Sequence, residues 1–230
     1  MTGIVDYNAG NICSVERALD FLKAPFVLSK KPDDLARCDR LIFPGVGDAE
    51  YAMEQLRRTG FDVFLKEWAS AGKPLAGVCL GSQIIFEHSD EGNTDCLGLL
   101  PGTVRHFAPV WKEHGLNSDG SLKIPHMGWS SLRFAHGGSA LLDGVPEQSD
   151  FYFVHSYVIQ VPDATVVKAY AEYGIDVPAV VEKDNISVFQ FHPEKSGRYG
   201  LQILRNYVGG DISSGGADGA EDSAQEEAHA

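Results

Sequence analysis

No stretch of the sequence approaches the roughly 20 consecutive apolar residues that a bilayer-spanning helix requires. Basic residues are scarce as well. The chain carries 19 Lys and Arg against 32 Asp and Glu, a formal charge of −13. That balance argues against a nucleic-acid partner, because phosphate backbones select Lys/Arg-rich faces. Cysteine is limited to Cys13, Cys38, Cys79 and Cys96, with no C-x-x-C pair. His126, His136 and His155 are not at ligand spacings either, so neither a disulfide framework nor a bound metal is expected. No cofactor motif is evident. The opening "MTGIVDYNAGN" lacks the basic start and apolar run of a secretory signal. A cytoplasmic, soluble protein that does not enter membranes is therefore expected.

What is present suffices for one substantial core: 43% of the 230 residues are hydrophobic, within the size range of a single domain. Much of the acidity is local. From Asp211 onward the chain has six acidic residues and no Lys or Arg, in a Gly/Ser/Ala-rich context with almost no large apolar residues. Such a segment buries too little surface to offset its ordering entropy. The expected organisation is one domain over residues 1–208 and a disordered acidic tail over 209–230.

The first half alternates between two periodicities. "TGIVDY" reads as a strand, and Asn11 as an N-cap for a helix with apolar Ile12, Val15, Leu19 and Leu22. "FVLS" is a strand, "PDDLARC" a short helix, and "DRLIFPGVG" a strand entering a Pro-Gly turn. Helices over Ala49–Arg58 and Phe61–Ala71 precede the buried strand "PLAGVC". Such alternation indicates βαβ units and a mainly parallel sheet. The second half is β-rich: "TVRHF", "SLRF", "FYFVHSYVIQV", "TVVKAY", "PAVVEK" and "ISVFQF" follow with little helix between them. An antiparallel extension of the sheet is expected there, closed by an amphipathic helix over Gly197–Val208. The fold class is thus α/β: a single domain with a central mixed, mainly parallel sheet flanked by helices.

One stretch asks for an explanation. "GVCLGSQ" frames Cys79 between Gly77 and Gly81 where a strand pattern becomes a helix pattern. A free cysteine is usually a small buried hydrophobe, and that role needs no glycine frame. A nucleophile raised on a tight strand-to-helix turn does, because the glycines let two backbones pass where a Cβ would collide. A helix N-terminus also favours a thiolate over a thiol. The N–H of Leu80, one residue on, points where an oxyanion would form. A cysteine nucleophile needs a base, and His192 in "VFQFHPEKSG" ends an apolar strand, the position that lines ligand crevices in such sheets. Glu194, two residues later, can hold the imidazole by a hydrogen bond. Pro44-Gly45-Val46-Gly47, between a strand and a helix, can aim further N–H groups at a developing charge.

Glycine-framed Cys79, the Pro-Gly-Val-Gly loop and "FHPE" together resemble the class I (triad) glutamine amidotransferases. "DYNAGN", "SVERAL", "PGVGDAEYAMEQL", "IPHMGWSSL", "FYFVHSY" and "QFHPEKSGRYGLQILRNY" narrow the resemblance to the glutaminase subunits of imidazole glycerol phosphate synthases, from about residue 3 to 208. The resemblance implies a single α/β domain of flavodoxin-like type. It implies a triad of Cys79, His192 and Glu194, with an oxyanion hole from Leu80, Val46 and Gly47. Gly45, Gln83 and Glu91 match positions that bind glutamine. It further implies a heterodimer with a (β/α)8-barrel cyclase subunit. That partner receives ammonia and makes imidazole glycerol phosphate and an aminoimidazole carboxamide ribonucleotide in histidine biosynthesis, a lyase-type overall reaction. Pro125, His126, Met127, Gly128 and Trp129, with Tyr152, His155, Ser156, Tyr157 and Lys195, match the segments facing that partner. Pro-His-Met-Gly-Trp reads better as an interface loop than as a core strand, since exposed Met and Trp anchor protein contacts.

Ser82 stands where the family often has methionine, and Ser130 where asparagine is usual; neither belongs to the implied triad. Related subunits deliver ammonia to cell-surface sugars or to anthranilate and nucleotide synthesis, and a catalytically silent homologue would act only as a binding partner. The complete "PHMGW" segment favours histidine biosynthesis, and the intact triad favours an enzyme.

Overall fold

A computed structural model describes residues 1–8, 12–116 and 122–209. The expected cap at Asn11 and the expected acidic tail from residue 210 onward lie outside the described residues. In the first half β1 (Thr2–Val5), α1 (Ile12–Phe21), β2 (Phe26–Ser29), α2 (Pro32–Leu35) and β3 (Arg40–Gly45) follow one another. Then come α3 (Ala49–Thr59), α4 (Phe61–Ser70), β4 (Leu75–Cys79) and the single turn α5 (Leu80–Gln83). Pro32, whose missing N–H costs nothing in a first turn, opens α2. Asp48 caps α3 by accepting from the Tyr51 N–H at 2.8 Å.

The second half contributes β5 (His88–Ser89), β6 (Thr94–Asp95), β7 (Thr103–His106), α6 (Phe107–Glu113) and β8 (His126–Phe134). After these run β9 (Asp150–His155), β10 (Tyr157–Gln160), β11 (Val167–Glu172), β12 (Asp176–Lys183), β13 (Ile186–Phe189) and α7 (Gly197–Val208). A nine-stranded sheet has the order β2-β1-β3-β4-β13-β12-β11-β8-β9. Its β2-to-β13 portion is parallel, whereas β12, β11, β8 and β9 add on antiparallel. A smaller sheet runs β10-β7-β5-β6. The expected α/β class with a mixed sheet and antiparallel extension is what forms.

Strand alternation divides the core. Val5 and Phe43 face α3 and α4 with Leu56, Phe61, Leu65 and Trp68. Ile4 and Ile42 face the opposite side, against Val15 and Leu19 of α1 and Ile203, Leu204 and Tyr207 of α7. Each such fully buried aliphatic or aromatic side chain contributes on the order of 2 kcal/mol.

Three local expectations change. "FYFVHSYVIQV" is two strands, because the chain leaves one sheet at Ser156 and enters the other; the Ser156 carbonyl accepts from the Phe107 N–H at 3.1 Å as it crosses. Pro-His-Met-Gly-Trp is strand rather than loop from His126 onward: β9 pairs with it residue by residue from His126↔His155 to Ser131↔Asp150. Pairing supplies the backbone partners that its composition could not advertise. Phe107, read as the end of a strand, instead starts α6.

Candidate active site

Parallel pairing of β3, β4 and β13 brings three carboxyl ends together, with Gly45 beside Cys79 and Phe189 beside Val78. Cys79 sits between β4 and α5 at φ 54°, ψ −113°, a conformation that costs an L-residue roughly 1–3 kcal/mol. The glycine frame is explained by what surrounds it. A Cβ on Gly77 would lie 2.8 Å from Ser82 Cα, and one on Gly81 would drive into the backbone carbonyl of Phe43. Only bare backbone fits at both places, so the turn closes tightly enough to hold the strained residue. The Ser82 hydroxyl donates to the Cys79 carbonyl and closes the turn from within.

His192 follows β13 and is buried, with its Nδ1 2.7 Å from Glu194 Oε1. The Glu194 side chain is equally enclosed. Carboxylates only accept at neutral pH, so His192 Nδ1 donates and Nε2 faces the cysteine side. Among the described residues His192 Nε2 and Glu194 Oε2 are buried without hydrogen-bond partners. Burial pulls the imidazole pKa down, but nearby Cys79 and the hydrogen bond and charge of Glu194 outweigh it and hold the group at about 9. The Cys79 thiol itself lies 3.8 Å from the Val154 carbonyl of β9. β9 also fixes His192: its N–H donates to the Tyr152 carbonyl at 3.0 Å, and the Tyr152 N–H donates to Ser196 Oγ at 3.0 Å.

The remaining expected site residues fall around this centre. Leu80 is buried as the first residue of α5, Val46 is exposed, and Gly47 has φ +99°. Gly45 is packed so closely that a Cβ there would lie 2.7 Å from the Tyr7 hydroxyl. Glu91 Oε2 accepts from the Ala49 N–H at 2.9 Å at the start of α3, just after the Pro-Gly-Val-Gly segment. Burial, together with the nearby Asp48 charge, raises the Glu91 pKa against that hydrogen bond. Gln83 is buried, donating from Nε2 to the Tyr157 carbonyl at 3.0 Å and to Gln190 Oε1 at 2.9 Å.

Of the residues expected to face a partner, Met127 and Trp129 are 62% and 54% exposed, and Pro125 and Lys195 are exposed too. Gly128, Tyr152, Ser156 and Tyr157 are half-buried. His126 and His155 are not surface residues: at 2% and 6% exposure they point inward from β8 and β9. Strand alternation puts them on the face opposite Met127. Trp129 meets Tyr152 edge-on at 5.9 Å, and Lys195 Nζ lies 6.0 Å from the Tyr152 ring centre. This exposed group is therefore one residue removed from His192.

Two residues that sequence reasoning missed stand at the centre. The Tyr7 hydroxyl is buried beneath Gly45 without a partner among the described residues, its pKa raised by burial and by the Cys79 charge. Gln190 is fully buried, and its Nε2 has no partner among them. "DYNAGN" and "FQFHPE" contained both, but nothing local marks a tyrosine or glutamine as site-facing. Among the described residues no group of three or more His, Cys, Asp or Glu could hold a metal ion. No helix among them is long and apolar enough to cross a membrane.

This fold, with a strained cysteine and a buried His–Glu pair at the carboxyl edge of a mixed sheet, defines a glutamine amidotransferase: the model of the family "Glutamine amidotransferase class-I" matches residues 5–211. A crystal structure of a glutamine amidotransferase shares the fold with TM-score 0.68 at 18% identity, covering 90% of this chain and 97% of that one. Imidazole glycerol phosphate synthase subunit HisH of Geobacillus thermodenitrificans is 48% identical over 211 residues, 91% of this chain and 95% of that protein. Its counterpart from Halalkalibacterium halodurans is 46% identical over 209 residues, covering 90% and 94%. The chain belongs to the class-I glutamine amidotransferases and, within them, to the family of HisH subunits.

Proposed function

We propose that this chain is the glutaminase subunit of a cytoplasmic imidazole glycerol phosphate synthase, hydrolysing L-glutamine through Cys79, His192 and Glu194 and handing ammonia to a (β/α)8-barrel cyclase subunit in histidine biosynthesis. The observation that carries it is strained Cys79 beside His192, whose Nε2 is buried and unpartnered among the described residues and whose Nδ1 is held by Glu194. In this reading Cys79 Sγ attacks the carboxamide carbon of glutamine, and the Leu80 N–H and an N–H of the Val46–Gly47 segment meet the oxyanion. The His192 proton passes to the departing nitrogen, so ammonia leaves and a glutamyl thioester remains. Neutral Nε2 then takes a proton from water as the oxygen attacks the thioester carbonyl; the thiolate departs and glutamate is released. Gly45, Gln83 and Glu91 hold the substrate's distal end.

The test is glutamate release by the purified chain, alone and with a barrel cyclase subunit carrying its nucleotide ligand. Strong stimulation by the loaded cyclase supports the full reading. Hydrolysis indifferent to the cyclase keeps the glutaminase and points to another ammonia acceptor. A folded chain that binds the cyclase and hydrolyses nothing under either condition overturns it.

An alkaline limb is expected in kcat/KM for glutamine, because His192 must enter the reaction protonated and loses its proton near pH 9. Its pKa is higher folded than the ordinary 6.5. The charged group therefore stabilises the fold fully below about pH 6.5, and that contribution fades as pH rises through about 9. Glu194→Gln removes the carboxylate that holds the proton, so the limb should move to lower pH. A limb that stays in place would separate Glu194 from the base.

Trp129→Ala and Lys195→Ala should weaken cyclase binding or stimulation by about tenfold, the scale of an anchoring residue. Cys79 should still react with a glutamine-like affinity label in both. Undiminished stimulation in both variants would remove this patch from the interface.

A further inference from the structure

Residues on β8 and β9 are joined to the turn after the cysteine by an unbroken run of hydrogen bonds. Ser130 Oγ lies 2.8 Å from His126 Nε2, His126 Nδ1 lies 3.0 Å from His155 Nε2, and His155 Nδ1 lies 2.7 Å from the Tyr157 carbonyl oxygen. Gln83 Nε2 reaches that same oxygen at 3.0 Å. A straight strand would separate residues four apart, such as His126 and Ser130, by about 13 Å. They meet across Gly128, which adopts φ +133°, a backbone conformation that L side chains rarely take. The His126 ring is clamped between Tyr173 and Phe153, stacked at 4.0 and 4.7 Å between centres.

The proton positions follow from one end. A carbonyl oxygen only accepts, so His155 Nδ1 must carry the hydrogen and its Nε2, in the neutral ring, must accept. His126 Nδ1 must then donate to it, leaving His126 Nε2 to accept from the Ser130 hydroxyl. Both rings stay neutral at physiological pH, since burial holds His126 at about 4 and His155 at about 3, the latter with small contributions from His126 and His192 charge. The Ser130, His126 and His155 donors therefore all point toward the Tyr157 carbonyl, which accepts from Gln83 Nε2 on its other side.

We infer that Ser130, His126 and His155 are positioning residues for glutamine binding: a one-directional relay from strand β8 that anchors the Tyr157 carbonyl and, through it, Gln83. The inference rests on the reading of Gln83 as a substrate-binding residue. It makes β8, whose other face exposes Met127 and Trp129, a lever on glutamine affinity. Whatever changes the backbone at Gly128 displaces Ser130 and His126, and the displacement ends at Gln83.

Two measurements test it. Nitrogen-15 spectra of imidazole-labelled protein at pH 7 should show both rings neutral and protonated at Nδ1; an Nε2-protonated tautomer in either ring overturns the relay. Glutamine affinity is then measured in a Cys79→Ala background, where no thioester forms. His155→Phe removes the anchor on Tyr157 and should weaken binding about tenfold, as for one lost hydrogen bond. His155→Asn puts an amide N–H at the δ position and should recover affinity to within about threefold. Ser130→Ala, a small change at a half-buried position that leaves the core intact, should weaken binding about threefold. Unaltered affinity in His155→Phe or Ser130→Ala, or equal losses in the Phe and Asn variants, overturns the inference and leaves the glutaminase reading standing. Failure of Cys79→Ala itself to bind glutamine overturns the substrate reading and this inference together.

Discussion

Cys79→Ala is expected to lower glutamate release at least about 10⁴-fold while leaving the fold intact. On the proposed mechanism no acyl intermediate forms without the thiol. The remaining groups can only polarise the amide for direct attack by water, a much poorer route than the covalent one. Stability should hardly change, because Cys79 is a small buried side chain and alanine carries the same Cβ into the same strained backbone. A second substitution separates nucleophile from scaffold. Glycine at position 79 relieves about 1–3 kcal/mol of backbone strain and loses about 0.5–1 kcal/mol through the freer unfolded chain. The relief is the larger quantity, so Cys79→Gly should melt above Cys79→Ala although both are inactive. Glutamine hydrolysis surviving in either variant would remove Cys79 from the chemistry. A lower melting temperature for the glycine variant would show that the turn is not strained.

Gly81→Ala should be the most damaging single methyl group in the site. An added Cβ would enter the Phe43 carbonyl and lie 3.0 Å from Phe43 C and 3.1 Å from Pro44 C. These are backbone atoms of β3, held by pairing with Gly77 and Val78 of β4, so no rotamer change relieves the overlap. Alanine's better helix propensity returns only about 1 kcal/mol. The overlap and the displacement it forces cost about 3 kcal/mol, and a net 2 kcal/mol lowers the melting temperature by about 4–8 °C in a chain of this size. Activity should fall further than stability, by about 10² or more, because the displaced turn carries both Cys79 and the Leu80 N–H. Gly72→Ala is the control. It lies at φ +72° with nothing within 4 Å of the added Cβ, so only the left-handed conformation is penalised, by about 1–2 kcal/mol, and activity is retained. Equal effects from the two substitutions would mean that Gly81 serves conformational freedom alone rather than close approach.

Legibility tracked how local each feature is. The alternating first half, the glycine-framed cysteine and the His-x-Glu turn were readable because periodicity and turn chemistry are written in neighbouring residues. So was the class of fold. The histidine pair faces inward rather than toward a partner as the resemblance implies; nothing in "PHMGW" says which strand face will be covered. Gln83 could be named from resemblance, but its attachment to Tyr157 and Gln190 spans 74 and 107 positions in the chain. Tyr7 went unnoticed because its importance lies in being beneath Gly45, a contact set by strand order alone.

The sequence by itself determined the elements, the strained cysteine turn and the His–Glu pair, since each depends on sterics and hydrogen bonds within a few residues. Tertiary structure alone decided that Cys79 and His192 meet, that "FYFVHSYVIQV" divides between two sheets, and that β8 pairs along its length with β9. Those outcomes depend on which strands become neighbours. That choice is made by burying both faces of one sheet at once, a condition on the whole chain that no short stretch of it records.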